Sequence, residues 1–146
     1  MTEEIQPSPK DWIYNGKPIT EPPEGFIGFI YVIYLPDGRK YVGKKLWSFK
    51  KTKQVKGKKK KYLAESDWKT YFGSSDEVKA LVNELGMDKF DREILHMCKT
   101  KGELNYMETW EIFKRRALLD DTYVNGWVSC KIHKAHVVKS VDKNRL

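Results

Sequence analysis

Residues 28–43 read GFIYVIYLPDGRKYVG, and this stretch decides the fold. It belongs to a β-branched and aromatic run over residues 26–35, which is long enough for one central strand. Residues 36–39 supply turn chemistry, because proline fixes φ and glycine accepts a positive φ. Extended structure resumes over residues 40–43, so the stretch predicts a β-hairpin.

Two helices and two further strands are expected along the rest of the chain. Capping boxes that begin at Ser74 and Thr100 predict helices, the second of which continues to about residue 118. Residues 89–97 alternate well enough for a third strand, and a short last one is expected within residues 122–132. The second helix has an apolar stripe at three- and four-residue steps that is expected to face the core: Leu104, Met107, Trp110, Phe113, Ala117 and Leu118.

The order of these elements predicts an α/β (α+β) fold, a small sandwich with a mostly antiparallel three-stranded sheet flanked by helices. Residues 1–25 hold five of the six prolines and are interpreted as an extended N-terminal arm that wraps the domain. Within it, residues 12–16 form a short strand-like piece that ends in a turn pair. The domain itself is assigned to residues 26–130, and residues 131–146 are assigned to a basic C-terminal tail.

Composition places the chain among folded proteins that bind a polyanion. Hydrophobic residues make up 40% of the 146 residues and aromatic ones 13%, which excludes a disordered chain. The formal net charge of +8 favours nucleic acid as the partner, while an alkaline soluble or ribosome-like protein stays open. Two cysteines without CxxC spacing, Cys98 and Cys130, indicate thiols of a reducing compartment. Since no apolar run reaches the roughly 18 residues of a membrane span, a soluble intracellular protein is expected.

A lysine-rich insertion spans residues 44–61 and contains ten lysines and no acidic residue. Such a block repels itself, so it is expected to be a flexible loop or a loosely held hairpin. Its charge suits nonspecific contact with phosphates, which adds affinity and little sequence choice. A solvated mobile insertion and a nuclear-localisation-like tract remain open. The residues predicted to contact DNA are Lys45, Lys50, Lys51, Lys53, Lys58, Lys59 and Lys60.

The hairpin also resembles the signature of the GIY-YIG nuclease superfamily. In that family the first tyrosine ends a G-I-Y triplet on one strand, and the second begins Y-I-G on its partner about ten residues on. Residues 29–31 stand for the first triplet, with Gly28 one place early, and residues 41–43 stand for the second. Tyr31 and Tyr41 would then lie on neighbouring strands, where two phenols can share a proton and place a water. Two half-buried packing tyrosines are the alternative interpretation.

Further stretches extend the resemblance over residues 26–130, in the order found in phage-type homing endonucleases of this superfamily. A Y-x-G-S-S turn, a helix, a glycine and an F-x-x-x-I-L strand lead into the helix that carries Glu108. The resemblance implies that Glu108 is the metal ligand and that Asn125 is the asparagine that follows this helix. A surface salt bridge at Glu108 and a simple Asn-Gly turn at Asn125 are the alternatives.

One residue that the resemblance implies is missing. Family members carry an arginine on the first helix after the second triplet, often with a histidine four residues on, to grip the phosphate. Here Asp67 stands at the arginine's place and Tyr71 at the histidine's. The cation is then expected from Lys69, or from Lys44 or Lys45, without the bidentate fork of arginine.

The resemblance implies a metal-dependent DNA endonuclease of phage or homing type that hydrolyses phosphodiester bonds with Mg²⁺ (or Mn²⁺). Tyr31, relayed through Tyr41, would be the general base toward water, and Glu108 would hold the ion. Double-stranded DNA is the expected partner, with a protein partner to supply specificity, in the cytoplasm of a bacterial or phage-infected cell; the oligomeric state stays open. A catalytically impaired nucleic-acid-binding protein on the same fold and a basic structural or inhibitor protein are the alternatives. The candidate catalytic residues are Tyr31, Tyr41, Lys44, Lys69, Glu108 and Asn125.

Overall fold

The computed structural model describes residues 8–129, 132–138 and 140–146, so Cys130 lies outside the described residues. Within the described ranges, no helix combines the length and apolarity needed to cross a membrane. The regular elements are strands β1 Trp12–Tyr14, β2 Lys17–Ile19, β3 Gly28–Tyr34, β4 Lys40–Leu46, β5 Ser48–Val55, β6 Lys58–Glu65 and β7 Asp91–Cys98, and helices α1 Asp76–Leu85, α2 Lys101–Lys114 and α3 Lys134–Val137.

The hairpin predicted from residues 28–43 is confirmed as the pair β3–β4. The strands run antiparallel, with Tyr31 opposite Gly43 and Tyr41 opposite Ile33. Six of the seven residues of β3 are buried, as expected for a strand with neighbours on both sides and cover on both faces. The two tyrosines of the signature therefore lie on adjacent strands.

The sheet has five strands rather than the three predicted, in the order β2-β1-β7-β3-β4. The two additional strands come from the proline-rich N-terminal segment: β1 pairs with β7 in parallel and with β2 antiparallel. Trp12 explains why this segment docks, because its side chain is 1% exposed and packs edge-on against Phe29 and Tyr31 at 5.0 and 5.3 Å. Its indole N–H also donates to the Trp68 carbonyl (2.7 Å). The segment is thus built into a mixed sheet and does not simply wrap around it.

Helix α2 packs on one face of the sheet against β3 and β4, and α3, in the expected C-terminal tail, packs against α2. Of the apolar stripe expected to face the core, Leu104, Met107 and Ala117 are buried. Phe113 and Leu118 are instead 57% and 40% exposed, so the prediction that the stripe faces the core is wrong for these two residues. The opposite face of the sheet is covered by α1 and by a mostly aromatic core.

Helix α2 ends at Lys114 in a motif that lacks the usual glycine. The Ala117 N–H donates to the Ile112 carbonyl and the Arg116 N–H to the Phe113 carbonyl, both at 3.0 Å, which is a Schellman motif. The residue in the left-handed region is Arg116, with a φ of 53°. Without a glycine to mark the end, the sequence pattern predicts a longer helix.

The lysine-rich insertion forms a separate two-stranded ribbon from β5 and β6, which are paired along their whole lengths. Lys56 and Gly57 at its turn both have positive φ (51° and 76°), as a two-residue type I′ turn requires. Of the two forms that the sequence predicts, the structure has the hairpin and not the loop.

The described part of residues 122–132 contains no strand, although one is predicted there. Tyr123 makes an isolated parallel bridge with Lys40. The Lys40 N–H donates to the Thr122 carbonyl, and the Val124 N–H donates to the Lys40 carbonyl, both at 2.8 Å. The segment therefore covers the outer edge of β4 without extending the sheet.

Candidate active site

A cleft of about 670 Å³ opens at the β4 edge of the sheet. It is bounded by β4, by the turn before α1, by one side of α2 and by the segment that follows Val124. Five of the six predicted catalytic residues line it together: Tyr31, Tyr41, Lys44, Glu108 and Asn125.

Tyr31 is placed by a close approach of β3 and β4. Its side chain is 1% exposed and crosses Gly43, its partner on β4. A Cβ at position 43 would overlap the Tyr31 hydroxyl, so glycine fits there without a shift and other residues do not. A register shift between Ile30 and Tyr31 in the β3–β7 pairing marks an irregularity of the kind that re-aims a side chain.

Tyr41 is held by the Tyr-Phe-Gly-Ser-Ser turn before α1. Its hydroxyl lies 3.0 Å from Ser74 Oγ. Gly73 lies against the ring with a φ of 89°, and a Cβ there would come within 2.8 Å of the ring. The sequence pattern predicts Ser74 as the cap of α1, but Ser75 takes that position and accepts from the Val78 N–H (3.4 Å). That shift by one residue leaves Ser74 to bond with Tyr41.

Tyr71 is a third phenol in the cleft. Its ring stands perpendicular to the Tyr31 ring with 5.9 Å between centroids, closer than the 6.4 Å that separates Tyr31 from Tyr41. The ammonium of Lys45 lies 3.8 Å from the centroid of the Tyr71 ring. The sequence assigns no chemistry to Tyr71, and the only signal for it is its place where the family carries a histidine.

Burial raises the pKa of all three phenols. The pKa of Tyr31 lies well above its usual 10.0, first because of burial and then because of the neighbouring Tyr71 and Tyr41. The pKa of Tyr41 and that of Tyr71 are raised mainly by burial, against hydrogen bonds with Ser74 and Tyr31 that lower them. All three are therefore neutral hydroxyls at neutral pH, and Tyr31 can lose its proton only where positive charge comes close.

Glu108 extends from α2 into the cleft. Its side chain is 15% exposed, and its Oε1 lies 4.0 Å from Lys44 Nζ. Burial raises the pKa of this carboxyl, and Lys44 lowers it in part. Lys44 Nζ also donates to Asn105 Oδ1 (2.5 Å), one turn before Glu108 on the same helix. Lys44 is thereby tied to the helix beside the carboxylate.

The donor set of the cleft fits a hard divalent cation with one protein ligand. Glu108 and Asp76 are the acidic residues that line it. Glu111, on the next turn of α2, is instead paired with His96 and Arg115 at 2.7 Å each. Across the part of the chain that the structure describes, no three His, Cys, Asp or Glu side chains are grouped to enclose a metal. Mg²⁺ suits such a site, because it keeps several waters and takes one or two carboxylates together with phosphate oxygens.

Asn125 lines the cleft but is committed to the backbone of β4. Its Oδ1 accepts from the Val42 N–H (3.0 Å), and its Nδ2 donates to the Val42 carbonyl (2.8 Å). The side chain thus satisfies the strand edge as a neighbouring strand would. Asn125 is therefore a residue that positions the segment after it against the cleft.

Lys45 is not on the surface with the other lysines of the insertion, and its prediction as a DNA contact is corrected. Its side chain is 8% exposed, because Nζ donates to Asp67 Oδ1 (2.6 Å) and lies over the Tyr71 ring. The ion pair lowers the pKa of Asp67, which stands at the family's arginine position. The carboxylate at that position therefore holds Lys45 as a structural partner. The other lysines predicted to contact DNA are exposed on β5 and β6: Lys50, Lys51, Lys53, Lys58, Lys59 and Lys60.

Lys69 and Arg92 do not reach the cleft. Lys69 lines a separate pocket together with Arg92, so its prediction as a catalytic cation is not supported by its position. Arg92 is 2% exposed and donates to the Tyr71 and Lys10 carbonyls (2.9 and 2.7 Å), and burial lowers its pKa to about 10. Among the described residues that line the cleft, Lys44 is thus the one lysine or arginine.

Trp127 also lines the cleft, and the sequence does not assign it to the site. Its side chain is 74% exposed, which is unusual for the largest apolar side chain. Asn125, bonded to β4 two residues earlier, fixes the point from which it extends. The one signal in the sequence is an aromatic residue directly after an Asn-Gly pair, outside any periodic apolar pattern.

Comparison with known families gives one match that covers most of the chain. The family model of the SegE GIY-YIG endonuclease domain matches residues 12–128, which are 117 of the 146 residues. Comparisons with curated proteins and with solved structures give no significant match. The matched range begins at β1, in agreement with a sheet that includes the N-terminal segment, and contains every lining residue of the cleft except Ser129. The chain therefore belongs to the GIY-YIG endonucleases, within the family of SegE-type domains.

Proposed function

We propose that the chain is a metal-dependent endonuclease that hydrolyses phosphodiester bonds of double-stranded DNA, with Mg²⁺ (or Mn²⁺) held at Glu108. The observation that carries the proposal is the meeting of Tyr31, Tyr41, Lys44 and Glu108 in one open cleft. Packing residues alone would not require a half-buried carboxylate and a lysine to share this space with two phenols.

Glu108 is the ligand in this proposal. Its carboxylate is largely withdrawn from water, which raises its pKa, and a divalent cation would offset that cost. When bound, the cation supplies charge neutralisation at the phosphate and polarises a water. Asp76, on the other side of the cleft, is the second carboxylate within the same space.

Tyr31 serves as the general base. In the reaction a water oxygen forms a bond to phosphorus and its proton passes to the Tyr31 phenolate, while the bond from phosphorus to the leaving oxygen breaks and that oxygen takes a proton from solvent water. Tyr31 needs nearby positive charge to reach that form, since burial keeps its proton in place. The Tyr71 ring lies nearer to the Tyr31 ring than the Tyr41 ring does, at 5.9 against 6.4 Å between centroids, while Tyr41 bonds with Ser74, so Tyr71 replaces Tyr41 as the immediate neighbour of the base.

Lys44 offsets the charge that develops on the phosphate. It lies 4.0 Å from Glu108 and is the cation that the described part of the cleft provides. As a lysine it acts as a point charge and lacks the two-point grip of arginine. We therefore expect a slower enzyme than one that has arginine at this place.

A plasmid assay tests the proposal. Supercoiled DNA is incubated with the protein in Mg²⁺, in Mn²⁺ and in EDTA, and nicked or linear product is expected only with a cation. Equal cleavage in EDTA would contradict the proposed metal dependence. Absence of cleavage under all three conditions would contradict the proposed nuclease activity.

A second candidate is a DNA-binding protein on the same fold that has lost catalysis. The observation that favours it is the carboxylate of Asp67 at the arginine position, paired with Lys45. A gel shift in EDTA separates the candidates: DNA that is bound in EDTA and intact in Mg²⁺ identifies the second one. If the protein neither binds nor cleaves DNA, the alternative that remains is a basic structural or inhibitor protein.

The biological setting follows the same reasoning. The order of motifs resembles phage-type homing endonucleases, which supports a phage or homing enzyme in the cytoplasm of a bacterial or phage-infected cell. A protein partner that supplies sequence specificity remains part of the proposal, because the lysine-rich surface offers affinity rather than base recognition. Size-exclusion chromatography with and without DNA would detect dimers.

A further inference from the structure

The ribbon of β5 and β6 stands away from the rest of the molecule. Each strand has eight residues, which gives a length of about 27 Å. All residues over 49–54 and over 58–63 are exposed, on both faces of the ribbon. The strands form their own sheet and do not join the five-stranded one.

Lysines are distributed over both faces of this ribbon. Residues that pair across antiparallel strands share a face, so the register assigns each lysine of the two strands to one side. Lys53 and Lys60 are directly opposite each other, a like-charge pair that destabilises a free ribbon. The first face carries Lys51, Lys53, Lys58 and Lys60, and the second carries Lys50, Lys59 and Lys61.

A partner that neutralises only one face would leave the repulsion on the other. The major groove of B-DNA is about 12 Å wide, admits a two-stranded ribbon and has a row of phosphates along each wall. A ribbon inside it can therefore offer one face to each wall. The charge on both faces favours this partner over a flat phosphate surface.

The base of the ribbon is fixed with respect to the cleft. Trp47 alone separates β4 from β5; it is 2% exposed and packs against Phe29 and Trp68 at 4.3 and 5.0 Å between ring centroids. The Ser66 N–H donates to the Trp47 carbonyl (2.8 Å) where β6 returns. The direction of the ribbon is thus set by buried contacts of the residue that directly follows β4, the strand that carries Lys44.

We propose that the β5–β6 ribbon enters the major groove of the same duplex whose phosphate lies in the cleft; this rests on the proposed function. Val55, at the tip, lies eleven positions after Lys44 in the sequence, which is a distance of at most about 36 Å in extended chain. That distance is about one helical turn of DNA. The ribbon therefore contacts the duplex within about ten base pairs of the scissile phosphate, and always on the same side of it.

Groove occupancy is tested by binding measured in EDTA, so that cleavage plays no part. The probes are a 30-base-pair duplex, the same duplex with glucosylated hydroxymethyl groups on its cytosines, and a duplex saturated with a minor-groove ligand. We expect the bulky C5 groups to weaken binding at least about 10-fold and the minor-groove ligand to change it by less than about twofold. Equal affinity for the C5-modified and unmodified duplexes overturns the proposal. An RNA duplex should bind more weakly, because its deep, narrow major groove excludes the ribbon, and equal binding of RNA also overturns it.

Two matched variants test whether both faces are used. Lys51→Gln with Lys60→Gln removes two charges from the first face, and Lys50→Gln with Lys59→Gln removes two from the second. If the ribbon lies in the groove, each double substitution should reduce the magnitude of the slope of log affinity against log salt by about 1.8. A ribbon that lies flat on the backbone would lose slope in one pair only, which contradicts the proposal.

The outcome is separable from that of the proposed function. If the protein shows these binding properties in EDTA but never cleaves DNA in Mg²⁺, the proposal for the ribbon stands and the proposed nuclease activity is refuted. If the protein cleaves DNA in Mg²⁺ but binds the C5-modified and unmodified duplexes equally, the proposed nuclease activity stands and the proposal for the ribbon is refuted.

Discussion

Gly43 is the residue on which the position of Tyr31 depends most directly. The Tyr31 phenol crosses the backbone at position 43, where a Cβ would overlap its hydroxyl. We expect Gly43→Ala to displace the phenol, lower the cleavage rate at least about 10-fold and cost about 1–3 kcal/mol of stability. Gly38→Ala is the matched control: its φ of 92° makes alanine costly to stability, but a Cβ there meets nothing within 4 Å and the position is outside the cleft lining, so cleavage should stay parental. Parental cleavage by Gly43→Ala would show that Tyr31 does not need this position.

Trp127 is expected to hold a base of the substrate. An exposed indole at the cleft can stack on a base, which is worth about 1–3 kcal/mol, or about 5- to 150-fold in affinity. Trp127→Ala should therefore weaken DNA binding in EDTA by that factor, while Leu119→Ala, also exposed but outside the cleft lining, should not. Unchanged affinity of Trp127→Ala in a fluorescence-anisotropy titration would exclude stacking.

Glu108 should show opposite effects on stability and activity. Its pKa in the folded protein is raised, so its contribution to stability is complete below the unfolded pKa and is lost as pH rises through the folded value. At neutral pH without metal, Glu108→Gln should thus raise the melting temperature, by about 2–4 °C for each kcal/mol recovered. The gain should disappear below about pH 4, where both proteins are neutral at this position. Thermal melts at the two pH values check this; a variant that is less stable at neutral pH contradicts it.

At the scale of single residues, the sequence predicts which residues form the candidate site better than it predicts the contacts around them. Hairpin spacing and resemblance predict that Tyr31, Tyr41 and Glu108 share one site, and all three line the cleft. The burial of Lys45 could not be foreseen, because it depends on Asp67, which lies 22 residues away in sequence, and on the ring of Tyr71. The contact of Tyr31 with Tyr71 is equally nonlocal.

The end of helix α2 offers a test at the scale of the element. Arg116 adopts a left-handed conformation that costs a non-glycine residue about 1–2 kcal/mol. Arg116→Gly should therefore stabilise the protein by about 1 kcal/mol in urea unfolding, whereas Ala80→Gly, at an exposed position inside helix α1, should destabilise it by a similar amount. Loss of stability in Arg116→Gly would mean that the exposed arginine makes a contact worth more than the backbone strain.

The elements differ in how far local patterns determine them. Turn chemistry and capping residues are local, so β3, β4, α1 and α2 are found from sequence, with errors of position at their ends. The cap of α1 is Ser75 and not Ser74, whose hydroxyl bonds with Tyr41 in a nonlocal contact that no local rule contains. The parallel pairing of β1 with β7 joins residues about 80 positions apart, and it depends on nonlocal contacts: the burial of Trp12 and the bond from Arg92 to the Lys10 carbonyl.

For the whole molecule, the layout places the cleft and the lysine-rich ribbon next to each other along the chain. β4 forms the wall of the cleft with Tyr41 and Lys44, and after Trp47 the chain continues as the ribbon. The lysine-rich ribbon and the residues of the cleft thus lie in different parts of the molecule, and the position of one relative to the other is fixed. The sequence predicts both parts, and it does not show their relation, because that relation is set by the packing of Trp47 against Phe29 and Trp68.

The single-turnover cleavage rate of Glu108→Gln tests most directly whether this cleft is the active site. The variant keeps the shape of the side chain and loses the charge that would hold the cation. With supercoiled plasmid in Mg²⁺ we expect its rate to fall at least about 100-fold, while Glu84→Gln, on the exposed side of α1, cleaves at the parental rate. A Glu108→Gln protein that cleaves as fast as the parent would contradict the assignment of the cleft.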